Sequence, residues 1–186
     1  MTGGIGSGKT TIAKMFEEQG IPVYYADDEA KKLMNTSELI KQKLISAFGE
    51  DSYQNGKLNR AYLAEQVFND KEKLKTINSI VHPEVDRHFK EWVSAQQSKI
   101  VVQENAILFE SGKKDRFDVI ITVTAPEEVR IRRVVKRDQI SEEQVKARIK
   151  NQMDDTEKIK NSDYTIENTD LAKSKKQVLQ IIRLLN

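Results

Sequence analysis

The residues best suited to chemistry lie near the N-terminus, where glycines, a lysine and a threonine stand at fixed spacing. The segment Gly3-Gly4-Ile5-Gly6-Ser7-Gly8-Lys9-Thr10 matches the G-x-x-x-x-G-K-[ST] pattern and leads into a helical stretch. Glycines let the backbone wrap around a phosphate with its N–H groups pointing inward, and a helix N-terminus adds partial positive charge. Residues 3–10, here called the P-loop, are therefore predicted to hold a nucleoside triphosphate.

The side chains of the P-loop have separate predicted roles. Lys9 is expected to reach the β- and γ-phosphates, and the Thr10 hydroxyl is expected to bind Mg²⁺. The predicted nucleotide-binding residues of this segment are Gly4, Ile5, Gly6, Ser7, Gly8, Lys9, Thr10 and Thr11. A loop of this kind normally follows a buried strand, but only Met1 and Thr2 precede it. The first strand is therefore expected to be missing.

Composition limits the class of protein. The 186 residues suffice for one α/β domain with additional segments, and 32% charged with 38% hydrophobic residues is a soluble, globular balance. No apolar run approaches the roughly 18 residues of a membrane helix. The absence of cysteine excludes disulfides and Cys-ligated zinc, and a net charge of +2 gives no argument for nucleic acid. We expect a cytoplasmic protein, without membrane or nucleic-acid partners, whose metal is Mg²⁺ arriving with the nucleotide.

Hydrophobic periodicity predicts strands alternating with helices, as in a parallel sheet. Strands are predicted at residues 21–25, 100–102, 119–123 and 164–166. Between residues 28 and 97 the apolar spacing of three and four predicts helices, interrupted by a turn at Asn55-Gly56. One of these helices is predicted to end at His82-Pro83. Two further helices are predicted after residue 126, the second opened by a capping sequence at Ser141, and an amphipathic helix at 173–185.

Three carboxylates follow predicted strands and are candidates for chemistry. Asp27 comes after the second strand, where ligands of open α/β sheets bind, and a carboxylate there could accept the proton of an alcohol acceptor. The alternative is that Asp27 or Asp28 caps a helix. Glu104 and Glu110 follow the third strand, and either could hold Mg²⁺ through water or lie exposed in a loop. The sequence leaves the choice open, and we assign the metal side to Glu104.

A basic run at residues 130–137 gains meaning once a triphosphate is predicted. Guanidinium groups bind phosphate oxygens and stabilise charge that develops during transfer. We select Arg133 and Arg137 for this role, expect Arg130 and Arg132 to face solvent, and leave Arg148 open. The surrounding helical hairpin has few apolar residues and is expected to be a mobile lid. The alternative is that the run is simply a solvated face.

Taken in order, these motifs resemble those of the dephospho-CoA kinase family over essentially the whole chain. The matching residues are Thr2 to Thr10; Ala26-Asp27 and Ala30; Arg60; Val67-Phe68; Leu74; Ile77-Asn78; Ile80-Val81-His82-Pro83; Ile107-Leu108-Phe109-Glu110; Arg133; Arg137-Asp138; Gln152; and Asp163-Tyr164, Ile166 and Asn168. The P-loop alone is common to many kinases, whereas its combination with the His-Pro and Leu-Phe-Glu segments is far more specific.

The resemblance implies ATP-dependent phosphorylation of the ribose 3′-hydroxyl of dephospho-CoA, with Asp27 at the family's catalytic aspartate. Lys9 and Arg137 match its phosphate-binding positions. The resemblance places His82 and Arg60 near the acceptor and Asn168 toward the adenine of ATP.

The expected fold is an α/β P-loop NTPase three-layer fold with a parallel sheet, a helical substrate-binding insertion and a helical lid. The nucleotide-binding core is expected at residues 1–30, 98–125 and 160–186. The acceptor-binding insertion is expected at 31–97 and the lid at 126–159.

Two other functions compete with this one. A different P-loop nucleoside or nucleotide kinase would need arginines in the insertion to bind an acceptor phosphate, and that region offers only Arg60 and Arg87. A non-catalytic nucleotide-dependent switch is disfavoured by Asp27 and by the lack of an N-K-x-D base-reading motif. Oligomeric state is left open by the sequence.

Overall fold

The computed structural model of the protein describes residues 1–68 and 70–186. The chain divides into two compact units: the first unit consists of Met1–Tyr24 and Ser98–Asn186, and the second unit of Tyr25–Gln97. The helices are α1 (Lys9–Glu17), α2 (Ala26–Thr36), α3 (Glu38–Phe48), α4 (Arg60–Val67), α5 (Lys71–Ser94), α6 (Glu127–Asp138), α7 (Glu142–Lys150), α8 (Asp155–Lys160) and α9 (Leu171–Leu185). The strands are β1 (Val23–Tyr25), β2 (Tyr53–Gln54), β3 (Lys57–Leu58), β4 (Val102–Glu104), β5 (Ile121–Thr124) and β6 (Tyr164–Glu167).

Two pairs of strands are joined by the first residues of the chain. Strand β1 neighbours β4, and β5 pairs with β6 in parallel. Thr2 forms a parallel bridge with Thr122, and the Met1 carbonyl accepts a hydrogen bond from the Asn105 N–H at 3.0 Å. As expected, residues 1–2 form no strand among the described residues, but Met1 and Thr2 bond to β4 and β5 where a first strand would lie.

The core of the first unit forms where α1 and α9 pack together and α1 covers β4. Helix α1 buries Ile12, Ala13, Met15 and Phe16, a spacing of three and four that places them on one face. Helix α9 buries Val178 and Ile181, as its apolar period predicted. It begins at Leu171, two residues before the predicted start, because the Asp170 side chain accepts a hydrogen bond from the Lys173 N–H at 2.9 Å.

The second unit is helical, with one short hairpin. Strands β2 and β3 are antiparallel and are connected through Asn55 and Gly56, both with positive φ. An Asn-Gly turn of this kind is the usual connection of tight hairpins, so the predicted turn is confirmed. Helix α5 packs on α2 and α3.

The prediction that a helix ends at His82-Pro83 is wrong, because α5 continues through Pro83 to Ser94. Proline removes one helical donor, but the helix buries Val81 before it and Val85 after it. This burial on both sides outweighs the lost hydrogen bond.

Helices α6 and α7 form the predicted hairpin, and the capping box at Ser141 and Gln144 is present. The expectation that the hairpin has too few apolar residues to be anchored is wrong. Ile131, Val134 and Val145 form a buried cluster, and Ile5 of the P-loop packs against it.

Within the described part of the chain, no helix combines the length and apolar character needed to cross a membrane.

We predict that Phe16→Ala lowers the free energy of unfolding by about 3–5 kcal/mol, because this ring is fully buried between elements of the first unit. Urea unfolding followed by circular dichroism measures the change. Leu184→Ala is the control, since Leu184 is 61% exposed and its replacement should change the free energy by less than about 0.5 kcal/mol. Equal effects of the two substitutions would contradict the assignment of Phe16 to the core.

Candidate active site

The P-loop runs from Thr2, which forms the bridge to Thr122, to the N-terminus of α1. Gly8 precedes the helix in the left-handed conformation, with φ 88°, and no side chain caps the helix there. The first N–H groups of a helix have no intrahelical acceptor, so this end is suited to bind phosphate oxygens. The Lys9 ammonium lies at the same end and donates to the Gly3 carbonyl at 3.0 Å. Thr10, also in the first helical turn, is exposed.

Helix α6 packs directly on the P-loop through Arg130. Its side chain is buried, and its Nε donates to the Ile5 carbonyl at 2.9 Å. A Cβ atom added to Gly4 would lie 2.3 Å from Arg130 Nη2, and one added to Gly6 would lie 2.5 Å from the Arg130 carbonyl. Glycine at both positions therefore permits this approach.

The expectation that Arg130 faces solvent is wrong, whereas Arg132 is exposed as predicted. The signal was present in the sequence, because Arg130 precedes buried Val134 by four residues and so lies on the same helical face.

Arg133 and Asn168, both predicted to bind ATP, lie against the P-loop. The Asn168 amide donates to the Ser7 carbonyl at 2.9 Å, and Arg133 Nη2 donates to the Asn168 carbonyl at 2.8 Å. A Cβ atom added to Gly8 would lie 2.1 Å from Asn168 Nδ2. Both residues thus support the loop backbone, and their contact with ATP stays a prediction.

Residues that follow α7 also hold the loop. Gln152 Oε1 accepts a hydrogen bond from the Ile5 N–H at 2.8 Å. Asp155, at the start of α8, forms an ion pair with Arg130 Nη1. Reasoning from residue types alone missed both contacts; for Gln152 the one available signal was its place among the matching family motifs.

Arg137 lies at the exposed end of α6. Its side chain is 64% exposed, and its guanidinium donates to both carboxylate oxygens of Asp138. The hydrogen bond from Arg137 lowers the pKa of Asp138, and Arg148 adds a second contact at 3.2 Å. A role for Arg137 at the phosphates stays a prediction, and in this structure its guanidinium binds Asp138.

The two glutamates that follow the third predicted strand have different surroundings. Glu104 is the last residue of β4 and is buried. Glu110 forms an ion pair with the fully buried Lys158 at 3.1 Å and accepts a hydrogen bond from the Met153 N–H. Burial opposes the ionisation of Glu110, but the hydrogen bonds from the Met153 N–H and its own N–H, together with Lys158, outweigh it and lower the pKa of its carboxyl. Glu110 is thus paired with Lys158, and the metal-side role of Glu104 stays a prediction.

The first unit offers oxygen ligands suited to Mg²⁺. Thr10 supplies an exposed hydroxyl and Glu104 a carboxylate, and no cluster of three His, Cys, Asp or Glu side chains occurs within residues 1–68 and 70–186. Mg²⁺ in nucleotide enzymes typically keeps several waters and takes one or two protein ligands together with phosphate oxygens. This donor set fits such an ion.

The predicted acceptor-side residues all belong to the second unit. Asp27 is the second residue of α2 and is exposed. The alternative role as a helix cap is wrong, because Tyr25 is the N-cap and makes no side-chain cap hydrogen bond, while Asp28 pairs with Lys31. Arg60 opens α4 and is exposed.

His82 is half-buried within α5. Its predicted place near the acceptor stays a prediction.

Comparison with known proteins identifies the family. The family model for dephospho-CoA kinase matches residues 1–173. The dephospho-CoA kinase of Bacteroides fragilis strain YCH46 is 40% identical over 186 residues, which cover 100% of this chain and 91% of the relative. The enzyme of Salinibacter ruber is 42% identical over 90% of this chain and 86% of its own length.

A solved structure supports the same assignment. Dephospho-CoA kinase from Campylobacter jejuni superposes with a TM-score of 0.72 and 29% identity, covering 98% of this chain and 93% of the other. The P-loop kinase fold predicted from the sequence is thereby confirmed. With a family model spanning most of its length and relatives at this level of identity, the chain belongs to the dephospho-CoA kinase family.

Proposed function

We propose that this chain performs the family's reaction, transfer of the γ-phosphoryl group of ATP to the ribose 3′-hydroxyl of dephospho-CoA, with its P-loop as the donor site. The product is coenzyme A, so the reaction is the last step of coenzyme A synthesis. The observation that carries the proposal is a complete P-loop at the N-terminus of α1 in a chain matched by the family model over residues 1–173. The family match does not favour the alternatives of another nucleotide kinase or a non-catalytic switch.

On the donor side, Lys9 would neutralise charge on the β- and γ-phosphates, while the N–H groups of the loop bind phosphate oxygens. Thr10 and Glu104 would hold Mg²⁺, which when bound shields the phosphate charge. Arg133, Arg137 and Asn168 complete the proposed ATP-binding residues. Arg137 would have to leave Asp138 to reach the phosphates, and the exposure of this end of α6 supports such a movement.

On the acceptor side, Asp27 would accept the proton of the 3′-hydroxyl as the phosphoryl group is transferred. Its exposed position in the first turn of α2, immediately after β1, supports this role. Residues 31–97 would bind dephospho-CoA, with Arg60 and His82 near it. The division into core, insertion and lid stays a prediction, as does a cytoplasmic location.

One reaction tests the proposed function directly. The full chain is incubated with Mg-ATP and dephospho-CoA, and the mass of coenzyme A is sought, with nucleosides and nucleoside monophosphates as competing acceptors. Exclusive phosphorylation of another acceptor would support the rival kinase. ATP binding without transfer to any acceptor would support the switch.

We predict that Lys9→Ala lowers turnover by a factor corresponding to roughly 3 kcal/mol or more, because it removes the charge aligned with the transferred phosphate. Turnover of coenzyme A measures the effect, and circular dichroism checks that the variant is folded. Lys14→Ala is a matched control on the exposed face of the same helix. Near-normal turnover in folded Lys9→Ala would overturn the assignment of the P-loop.

We predict that Asp27→Asn leaves ATP binding nearly intact while lowering turnover by roughly 10²-fold or more, since the amide keeps the shape but cannot accept the proton. Asp28→Asn is the control, because Asp28 lies next to Asp27 and its pair with Lys31 is exposed. A loss of ATP affinity without loss of turnover at saturating acceptor would instead make Asp27 a structural residue or a metal ligand.

We predict that a non-hydrolysable ATP analogue increases the amide-exchange protection of residues 136–139 more than that of 131–134 and 145–149, because Ile131, Val134 and Val145 already anchor the latter two segments. Hydrogen exchange with and without the analogue measures this difference. Arg137→Ala should lower turnover, whereas Arg132→Ala, at an exposed position, should not. Equal protection in both states together with normal turnover of Arg137→Ala would leave the basic run a solvated surface.

A further inference from the structure

We propose that Arg130, held in place by Asp155, is a positioning residue that aims a backbone N–H of the P-loop at the triphosphate. The inference rests on the proposed phosphate-binding role of the loop and adds to it a side chain on the outer surface of that loop. It is carried by the hydrogen bonds and the ion pair of Arg130 and by the geometry of the peptide bond that follows Ile5.

The Ile5 residue is held at both of its backbone polar groups. Its carbonyl accepts from Arg130 Nε at 2.9 Å, and its N–H donates to Gln152 Oε1 at 2.8 Å. In a planar trans peptide the C=O and the following N–H point in opposite directions. When Arg130 binds the Ile5 carbonyl on the outer surface, the Gly6 N–H must therefore point to the inner surface, where a phosphate would bind.

The same arrangement recurs two residues later, which supports this interpretation. The Ser7 carbonyl accepts from Asn168 Nδ2 at 2.9 Å, so the Gly8 N–H also points away from the supporting side chain. Neither the Gly6 N–H nor the Gly8 N–H has a protein acceptor among the described residues. Two N–H groups directed inward without an acceptor are a ready binding arrangement for phosphate oxygens.

The Arg130 guanidinium is confined as well as bonded. Arg130 is 5% exposed and its Nη2 lies against Gly4, so the side chain has little room to adopt another rotamer. A buried guanidinium requires an opposite charge, and Asp155 on α8 supplies it through Nη1. Asp155 thus holds Arg130, and Arg130 holds the loop.

A positioning role and a purely structural role predict different kinetics. If Arg130 only stabilised the fold, its removal would lower stability and leave the KM for MgATP unchanged in the remaining folded protein. If it orients the Gly6 N–H, the KM for MgATP rises while the KM for dephospho-CoA stays the same, because no acceptor-binding role involves this part of the loop.

The test compares Arg130→Met with Arg132→Met in the full chain. Methionine keeps an unbranched stem beneath Gly4 but lacks both hydrogen-bond donors, and Arg132 is an exposed arginine of the same helix. We expect the KM for MgATP to rise about tenfold or more in Arg130→Met, as for a lost hydrogen bond to a charged group, with the KM for dephospho-CoA within about twofold of the unsubstituted chain. Arg132→Met should change neither constant.

A KM for MgATP within about twofold of the unsubstituted value in folded Arg130→Met would overturn the proposal, whatever the change in stability. If Arg130→Met does not fold, Asp155→Asn provides the test, because it keeps the shape of the partner but removes its charge. We expect it to raise the KM for MgATP about threefold and leave that for dephospho-CoA unchanged. Unchanged KM values in Asp155→Asn would then overturn the proposal.

The Lys9→Ala variant separates this inference from the proposed function. Normal turnover of Lys9→Ala would show that the P-loop is not the donor site, and both proposals would fail. If Lys9→Ala is inactive but Arg130→Met has normal KM values, the P-loop remains the donor site and only the positioning role of Arg130 is overturned.

Discussion

A loop that binds phosphate with its N–H groups must turn its carbonyl oxygens to the other side, and those oxygens need donors of their own. In this protein Arg130 and Asn168 supply them. The donors can reach the backbone only because Gly4, Gly6 and Gly8 leave space where a Cβ atom would collide. The positions of α6, which carries Arg130, and of Asn168, which follows β6, are therefore set by their close contact with the loop.

This dependence extends to elements with no motif of their own. Helix α8 is short and exposed along much of its length, yet it makes two ion pairs. Asp155 pairs with Arg130, and Lys158 pairs with Glu110. The preceding Gln152 bonds to Ile5, and Met153 bonds to Glu110. The consecutive residues Gln152 and Met153 thus connect the P-loop with the loop after β4. These two parts of the first unit are about a hundred residues apart in sequence.

Local patterns predicted the features that depend on nearby residues. The P-loop, the Asn-Gly turn, the capping box at Ser141 and the apolar face of α9 each follow from residues within one or two turns of each other. Arg130 was misassigned because a charge within a basic run is usually solvated, and its partners Ile5 and Asp155 lie 125 and 25 residues away. Pro83 shows the same limit, since burial of Val81 and Val85 overrides a local helix-stop signal.

The two ion pairs of α8 also determine which way round that helix packs. Asp155 near its start pairs with an arginine, and Lys158 three residues later pairs with a glutamate. If the helix were docked end for end, Asp155 would lie at Glu110 and Lys158 at Arg130, so that both contacts would join like charges with little water to screen them. The order of charges along six residues thus distinguishes one docking of α8 from its reverse, which the apolar surface of so short a helix could not do alone.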